Sequence, residues 1–159
     1  MKSIKLNKDD FIKCCGSKNW VNEMISNLPF DSKEKLFDIA DKVWNSLDRE
    51  DWLEAFTNHP KIGDIDLLKE KFSSTKHFAE NEQSGVNEAS IQCLMELAKY
   101  NEEYEKKFGY IFIVCASGKS ANEMLELIKQ RIKNNPEDEI KIAMEEQNKI
   151  TKLRLEKLL

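Results

Sequence analysis

Two short segments carry side chains that are able to transfer or orient a proton. Residues 58–64 read NHPKIGD, and residues 82–85 read EQSG. Histidine is the one side chain whose unperturbed pKa lies near physiological pH, and a carboxylate such as Glu82 is able to orient its ring. The proline and glycine of the first segment restrict and relax the backbone around His59, as a positioned proton-transfer group requires. On spacing alone, a histidine left in solvent after a helix end is the simpler interpretation.

The composition is typical of one globular domain. The chain has 159 residues, of which 40% are hydrophobic and 34% are charged, which predicts a single domain over residues 1–159. A net charge of -4 without clustered Lys and Arg argues against nucleic-acid binding. The longest apolar run, residues 110–116, is too short to span a bilayer, and acidic residues occupy the place of a signal peptide's apolar stretch. We therefore expect a cytoplasmic protein with no membrane partner.

The sequence lacks the common metal, thiol and phosphate motifs. The two histidines, His59 and His77, belong to no His-Glu-x-x-His or Cys/His cluster, so no metal is expected. Residues 116–120 read ASGKS, but a phosphate-binding loop needs glycine where the chain has Ile113, so we interpret them as a capped helix start with Lys119 on the surface. The cysteines form no Cys-x-x-Cys pair and are expected to be reduced and mostly buried: Cys14, Cys15, Cys93 and Cys115.

Apolar residues recur at helical spacing along most of the chain. Only 5 glycines and 3 prolines interrupt this pattern, which predicts an all-α bundle of about eight or nine helices. The expected helices lie near residues 8–15, 18–27, 32–46, 49–58, 65–71, 87–107, 120–134 and 136–157. Three apolar stripes are predicted to face the core: Leu36, Ala40, Val43, Trp44 and Leu47; Ile91, Leu94, Met95 and Ala98; and Ala121, Met124, Leu125, Ile128 and Ile132.

Several residues have the types and spacing of helix caps. The predicted N-terminal pairs are Asp31 with Glu34, Ser120 with Glu123, and Asn135 with Pro136. Gly16 and Gly109 are predicted C-terminal stops, because glycine readily adopts the left-handed conformation that ends many helices.

Residues 110–116, which read YIFIVCA, are the exception to the helical pattern. Their aromatic and β-branched side chains favour a strand, but the sequence offers that strand no partner. We therefore expect a buried, extended or irregular segment between two helices. Its peptide groups would need another partner, such as a ligand.

Arg154 lies on a predicted inward-facing stripe of the last helix. The stripe comprises Ala143, Gln147, Ile150, Arg154 and Leu158. A buried guanidinium needs a negative partner, because an unpaired buried charge is strongly destabilising. The sequence leaves that partner open between an anionic ligand and a glutamate of the chain. It also leaves Gln147 open between a site-lining residue and a surface amide.

Taken in order, four blocks resemble the 2-oxo-4-hydroxy-4-carboxy-5-ureidoimidazoline (OHCU) decarboxylase family of urate degradation. The blocks are residues 56–63 (FTNHPKIG), 82–86 (EQSGV), 108–120 (FGYIFIVCASGKS) and 145–158 (EEQNKITKLRLEKL). The resemblance covers most of the chain. It implies an all-α, cofactor-free enzyme, commonly a homodimer, that decarboxylates a small anionic substrate to (S)-allantoin.

The resemblance also implies roles for individual residues. His59 would be the catalytic acid/base and Glu82 the carboxylate that assists it, while Arg154 would bind the anionic substrate. The other implied substrate contacts are Pro60, Ala79, Gln83 and the backbone of Phe112, Ile113, Val114, Cys115 and Ala116. Two positions depart from the family pattern: Lys61 replaces a frequent arginine, and Ala79 replaces a frequent serine, which removes a hydroxyl from the implied substrate site.

Two other functions fit the same residues. One is a diverged decarboxylase that acts on a related anionic, nitrogen-rich ring acid, since similar sites serve neighbouring substrates. The other is a helical interaction protein without catalysis, in which His59 and Glu82 are ordinary polar residues. A substrate panel separates the first from the OHCU reaction, and an absence of any activity would indicate the second.

Overall fold

The structure is a computed structural model that describes residues 4–59 and 84–159. Within these ranges it contains seven helices, and the prediction of an all-α fold is confirmed. They are α1 (Lys8–Cys14), α2 (Lys18–Ser26), α3 (Lys33–Ser46), α4 (Arg49–Thr57), α5 (Ser84–Phe108), α6 (Ala121–Arg131) and α7 (Pro136–Lys157). The helix predicted near residues 65–71 lies outside the described residues. Among the helices of the described ranges, none combines the length and the apolar character that a membrane span requires.

The chain divides into two compact units. The first comprises Met1–His59 with Ile142–Leu159, and the second comprises Pro60–Lys141. The prediction of a single domain over residues 1–159 stays a prediction.

Large aromatic side chains form the core of the first unit. Phe11 and Trp20 meet edge to face with their ring centroids 5.8 Å apart, and both are fully buried. Trp44 donates its indole N–H to the carbonyl of Met144 at 2.7 Å, so this bulky side chain is buried without an unpaired donor. The stripe predicted on α3 is confirmed at four positions, since Leu36, Ala40, Val43 and Trp44 are all buried; Leu47 is half-buried.

The predicted caps are confirmed at two helices and wrong at one. Ser120 and Glu123 form the capping box of α6, and Asn135 accepts the Asp138 N–H at 2.8 Å before the first-turn proline of α7. For α3 the N-cap is Ser32 rather than Asp31, because Ser32 has extended backbone and its hydroxyl accepts the Lys35 N–H. Either side chain type is able to cap a helix, and the backbone conformation selects between them.

The buried face of α5 is not the predicted one. Ile91 and Met95 are 41% and 49% exposed, so the predicted stripe is wrong at these positions. Beside Leu94 and Leu97, the buried face carries one polar and two aromatic residues, namely Asn101, Tyr104 and Phe108. Asn101 is compatible with burial because its side-chain amide donates to the Leu97 carbonyl at 2.8 Å.

Residues 110–116 form a buried irregular segment in the second unit, as predicted, and not a strand. Gly109, with φ of +86°, ends α5 and turns the chain into this segment. The Ile113 carbonyl accepts from Arg131 Nη1 at 2.6 Å, and the Cys115 carbonyl accepts from Lys119 Nζ at 2.8 Å. At these two carbonyls the partner is a cation of the protein, in place of the expected ligand. Lys119 is accordingly half-buried, which corrects its predicted surface position.

Arg131 is the centre of a buried polar network in the second unit. Its guanidinium bonds Glu139 at 2.6 and 2.8 Å and lies 4.5 Å from the centroid of the Phe112 ring. The Tyr104 hydroxyl also donates to Glu139. Burial raises the pKa of Tyr104, so the phenol keeps its proton and remains a donor to this carboxylate.

Candidate functional site

His59 lies just beyond the C-cap of α4, and this C-cap residue, Asn58, holds the chain in place. Asn58 ends the helix, and its side-chain amide donates to the Gly16 carbonyl at 3.1 Å and to the Glu54 carbonyl at 3.3 Å. The His59 N–H donates to the Phe56 carbonyl at 3.3 Å. The backbone of His59 is therefore anchored both to α4 and to the loop after α1.

Gly16→Ala is expected to destabilise the protein by about 1–3 kcal/mol, because the new methyl group would overlap Asn58. A Cβ at Gly16 would lie 2.0 Å from Asn58 Nδ2 and 2.6 Å from its Cγ. Urea unfolding measures this cost. In the Asn58→Ala background the same substitution should cost much less, since the overlapping amide is gone. Equal costs in both backgrounds would contradict the packing. Gly16 thus allows the Asn58 side chain to approach the backbone closely. Helix α1 has already ended at Cys14, two residues before Gly16.

The His59 side chain is half-buried and hydrogen-bonded, so the interpretation of a histidine left in solvent is wrong. Its Nε2 bonds the side-chain oxygen Oε1 of Gln147, which is fully buried on α7. Gln147 Nε2 in turn donates to the Thr151 hydroxyl at 3.1 Å. Of the two places left open for Gln147, the structure selects the interior, next to the candidate acid/base.

Thr151 is a contributor to this site that the sequence analysis missed. The inward-facing residues of α7 recur every four positions as Ala143, Gln147, Thr151 and Leu155. The predicted stripe is therefore wrong at Leu158, which is 36% exposed. The sequence did contain a signal for Thr151. It lies four residues after Gln147, and apolar residues with the same spacing flank this polar pair on the helix face.

The polar chain continues from Thr151 to Cys15, the residue that follows α1. The Thr151 hydroxyl and the Ser17 backbone both hydrogen-bond the Cys15 thiol. Burial is the main reason that the pKa values of Cys14 and Cys15 are raised to about 11, and the nearby Arg154 charge offsets only part of this effect. All four cysteines are buried and free, as predicted. Cys14 and Cys15 are neutral at physiological pH, which makes them poor nucleophiles.

Arg154 lies in the same unit, two turns after Gln147 on α7, and is half-buried. Its Nη1 donates to the Cys14 carbonyl at 3.3 Å. Among the described residues, no carboxylate lies within ion-pair distance of its guanidinium. The alternative of an internal ion pair with a glutamate is therefore not found in the part of the chain that the structure describes.

The remaining predicted site residues fall into two groups. The second unit contains the segment formed by Phe112, Ile113, Val114, Cys115 and Ala116, of which the first four are buried. Pro60, Lys61, Ala79, Glu82 and Gln83 lie outside the described residues, as does His77. Their roles stay predictions.

Comparison with known proteins identifies the family. A family model described as OHCU decarboxylase matches residues 5–156. The chain belongs to the OHCU decarboxylase family. It is 37% identical, over 98% of its length, to the uric acid degradation bifunctional protein TTL of Arabidopsis thaliana, and it covers 48% of that protein. It is 28% identical, over 97% of its length, to a uric acid degradation bifunctional protein of Bacillus sp. (strain TB-90), of which it covers 31%.

The solved structures agree with the family assignment. The crystal structure of an OHCU decarboxylase in the presence of (S)-allantoin superposes with a TM-score of 0.76 at 38% identity, covering 96% of this chain and 98% of that one. The chain spans about half or less of the length of the bifunctional relatives named above.

In the described residues, no group of three or more His, Cys, Asp or Glu side chains is arranged to bind a metal ion.

Proposed function

We propose that this chain catalyses the cofactor-independent decarboxylation of OHCU to (S)-allantoin in urate degradation. The family assignment supports this reaction, and so do the names of its relatives. The observation that carries the proposal is the half-buried His59, anchored by Asn58 and hydrogen-bonded to the buried Gln147. Such a positioned, titratable ring is the central requirement of proton-transfer chemistry.

The proposed chemistry needs only positioning and proton transfer. Loss of CO2 leaves an electron pair next to a carbon–nitrogen double bond of the substrate. This double bond delocalises the electron pair, so the reaction needs no cofactor. His59 acts as the acid/base for the proton of the substrate hydroxyl, and Glu82 orients the imidazole or the substrate. A proton is then delivered to one face of the intermediate, which yields a single enantiomer. Holding the reacting groups together removes much of the entropic barrier.

Arg154 is the proposed anchor for the anionic substrate. Its guanidinium is half-buried and carries no ion pair within the described ranges. Its planar fork of donors matches a carboxylate, which it is able to bind through two parallel hydrogen bonds. Pro60, Ala79, Gln83 and the backbone of residues 112–116 complete the proposed set of substrate contacts. The proposal includes a cytoplasmic homodimer, as the family resemblance implies, and light scattering after size-exclusion chromatography tests the dimer.

Arg154→Met is expected to lower kcat/KM by about 10- to 150-fold, the equivalent of one charge-assisted hydrogen bond of about 1.5–3 kcal/mol. Arg154→Lys should recover part of this loss, because it keeps the charge but not the planar fork. The matched control is Lys152→Met, which removes a partly exposed cation of the same helix that pairs with Asp41 at 3.3 Å. Steady-state kinetics would contradict the assignment if both Met variants behaved alike.

The test of the proposed function is a substrate panel. OHCU is generated in place from urate by the upstream enzymes, and CO2 release is measured with and without this protein. Related anionic ring acids are assayed in parallel. Accelerated release from OHCU above all the others supports the proposal. Acceleration of another acid only would indicate the diverged decarboxylase, and no acceleration of any would indicate a protein without this catalysis.

A further inference from the structure

Gln147 is an unusual residue to find at its position. It is fully buried on α7, between the apolar residues Ala143 and Leu155 of the same face. Burying an amide is unfavourable unless its polar atoms find partners, and an apolar side chain would fill the same place without that requirement. Both polar ends of this amide are paired, one with His59 and the other with Thr151. The pairing with His59 links this buried amide to the candidate acid/base.

The orientation of the Gln147 amide follows from its two contacts. Its nitrogen Nε2 donates to the Thr151 hydroxyl at 3.1 Å. This leaves the amide oxygen Oε1 facing Nε2 of His59, with which it forms a hydrogen bond.

An amide oxygen only accepts hydrogen bonds, so the nitrogen of His59 that faces it must carry a proton. In the neutral ring this places the proton on Nε2 and the basic lone pair on Nδ1. In the protonated ring both nitrogens carry protons, and the bond to Oε1 is retained. The contact therefore suits both protonation states of a group that accepts and returns a proton.

We propose that Gln147 is a positioning residue that fixes neutral His59 in the tautomer protonated at Nε2, with Thr151 holding the amide in the required orientation. The catalytic consequence rests on the proposed function of His59. The consequence for the tautomer does not, since it follows from the hydrogen bond between the ring and the Gln147 oxygen. A residue that fixes the tautomer of a catalytic histidine acts through that histidine and need not contact substrate.

The direct readout is nitrogen NMR of the imidazole rings, because the protonated and unprotonated ring nitrogens have well-separated shifts. The chain has only two histidines, so His77→Asn assigns the signals of His59. Wild-type protein at a pH where the ring is neutral should show Nε2 protonated and Nδ1 unprotonated. Gln147→Met, which keeps the length but removes the acceptor, should give a mixture of tautomers. Gln147→Glu keeps an acceptor and should restore the Nε2–H form.

The kinetic expectation is a loss of kcat by about 10- to 100-fold in Gln147→Met, the same size as the loss caused by removing the hydrogen-bond partner of a metal-ligating histidine. An unchanged His59 tautomer in this variant, or an unchanged kcat, would overturn the inference. If Gln147→Met fails to fold, Thr151→Val provides the second test, because it removes the group that orients the amide. A fixed tautomer in a wild-type protein without decarboxylase activity would support the tautomer assignment and overturn the proposed function instead.

Discussion

Replacing His59 with asparagine is expected to lower kcat for OHCU decarboxylation by about 10²- to 10⁴-fold, the usual contribution of a general acid–base group. Asparagine is polar and fits the available volume, but it neither accepts nor returns a proton at neutral pH. The His59 ring is half-buried and hydrogen-bonded to Gln147, so the protein holds this titratable group in position. Steady-state rates with saturating substrate measure the loss.

The matched control for this experiment is the other histidine of the chain. His77→Asn removes an imidazole that we assign no role, and it should leave kcat little changed. Circular dichroism and thermal unfolding should show that both variants retain the fold. If His59→Asn turned over substrate as fast as His77→Asn, His59 would not be the acid/base.

Arg131→Met is expected to reduce the free energy of unfolding by about 3–5 kcal/mol, because it leaves a buried carboxylate without its cation. The side chain of Glu139 is fully buried, and that of Arg131 is 7% exposed. After the substitution, the donors that Glu139 keeps among the described side chains are the neutral Tyr104 and Asn134. The Ile113 carbonyl also loses the bond from Arg131 Nη1. Urea unfolding measures the change through the shift of its midpoint.

Lys129→Met is the control for Arg131→Met. Lys129 lies on the same helix, and its salt bridge with Glu126 is long, at 3.8 Å, and solvent-exposed. Loss of such a pair should change stability by less than about 1 kcal/mol. Adding Glu139→Gln to Arg131→Met should recover part of the stability, since it removes the uncompensated charge. Equal midpoints for the two Met variants would contradict the role assigned to the Arg131 network.

The helices were predictable because apolar spacing and capping side chains act locally. Ser120 with Glu123 and Asn135 before Pro136 mark helix starts that the structure confirms. The face that a helix buries depends on what it packs against, and here local spacing was misleading. On α5, Ile91 and Met95 formed an apolar stripe in the sequence but are exposed, while polar Asn101 is buried by bonding its own helix.

In the candidate site too, the sequence identified individual residues but not the contacts between them. His59 and Arg154 were identified from the sequence by residue type and family resemblance. In the first unit, His59 hydrogen-bonds Gln147 of α7, and Arg154 of the same helix donates to the Cys14 carbonyl. These polar contacts were not predictable. Thr151 resembles an ordinary helix residue, and its role depends on Gln147 one turn before it and on Cys15, which is distant in the sequence.

The handedness of the product tests both the proposed decarboxylase activity and the role of His59. OHCU is generated from urate by the upstream enzymes, and allantoin formation is followed by circular dichroism with wild-type protein and with His59→Asn. We predict a rapid signal of (S)-allantoin with the wild type that is lost in the variant, since His59 is needed for proton delivery to one face. Slow, racemic allantoin with both proteins would contradict the proposed decarboxylase and the role of its central histidine.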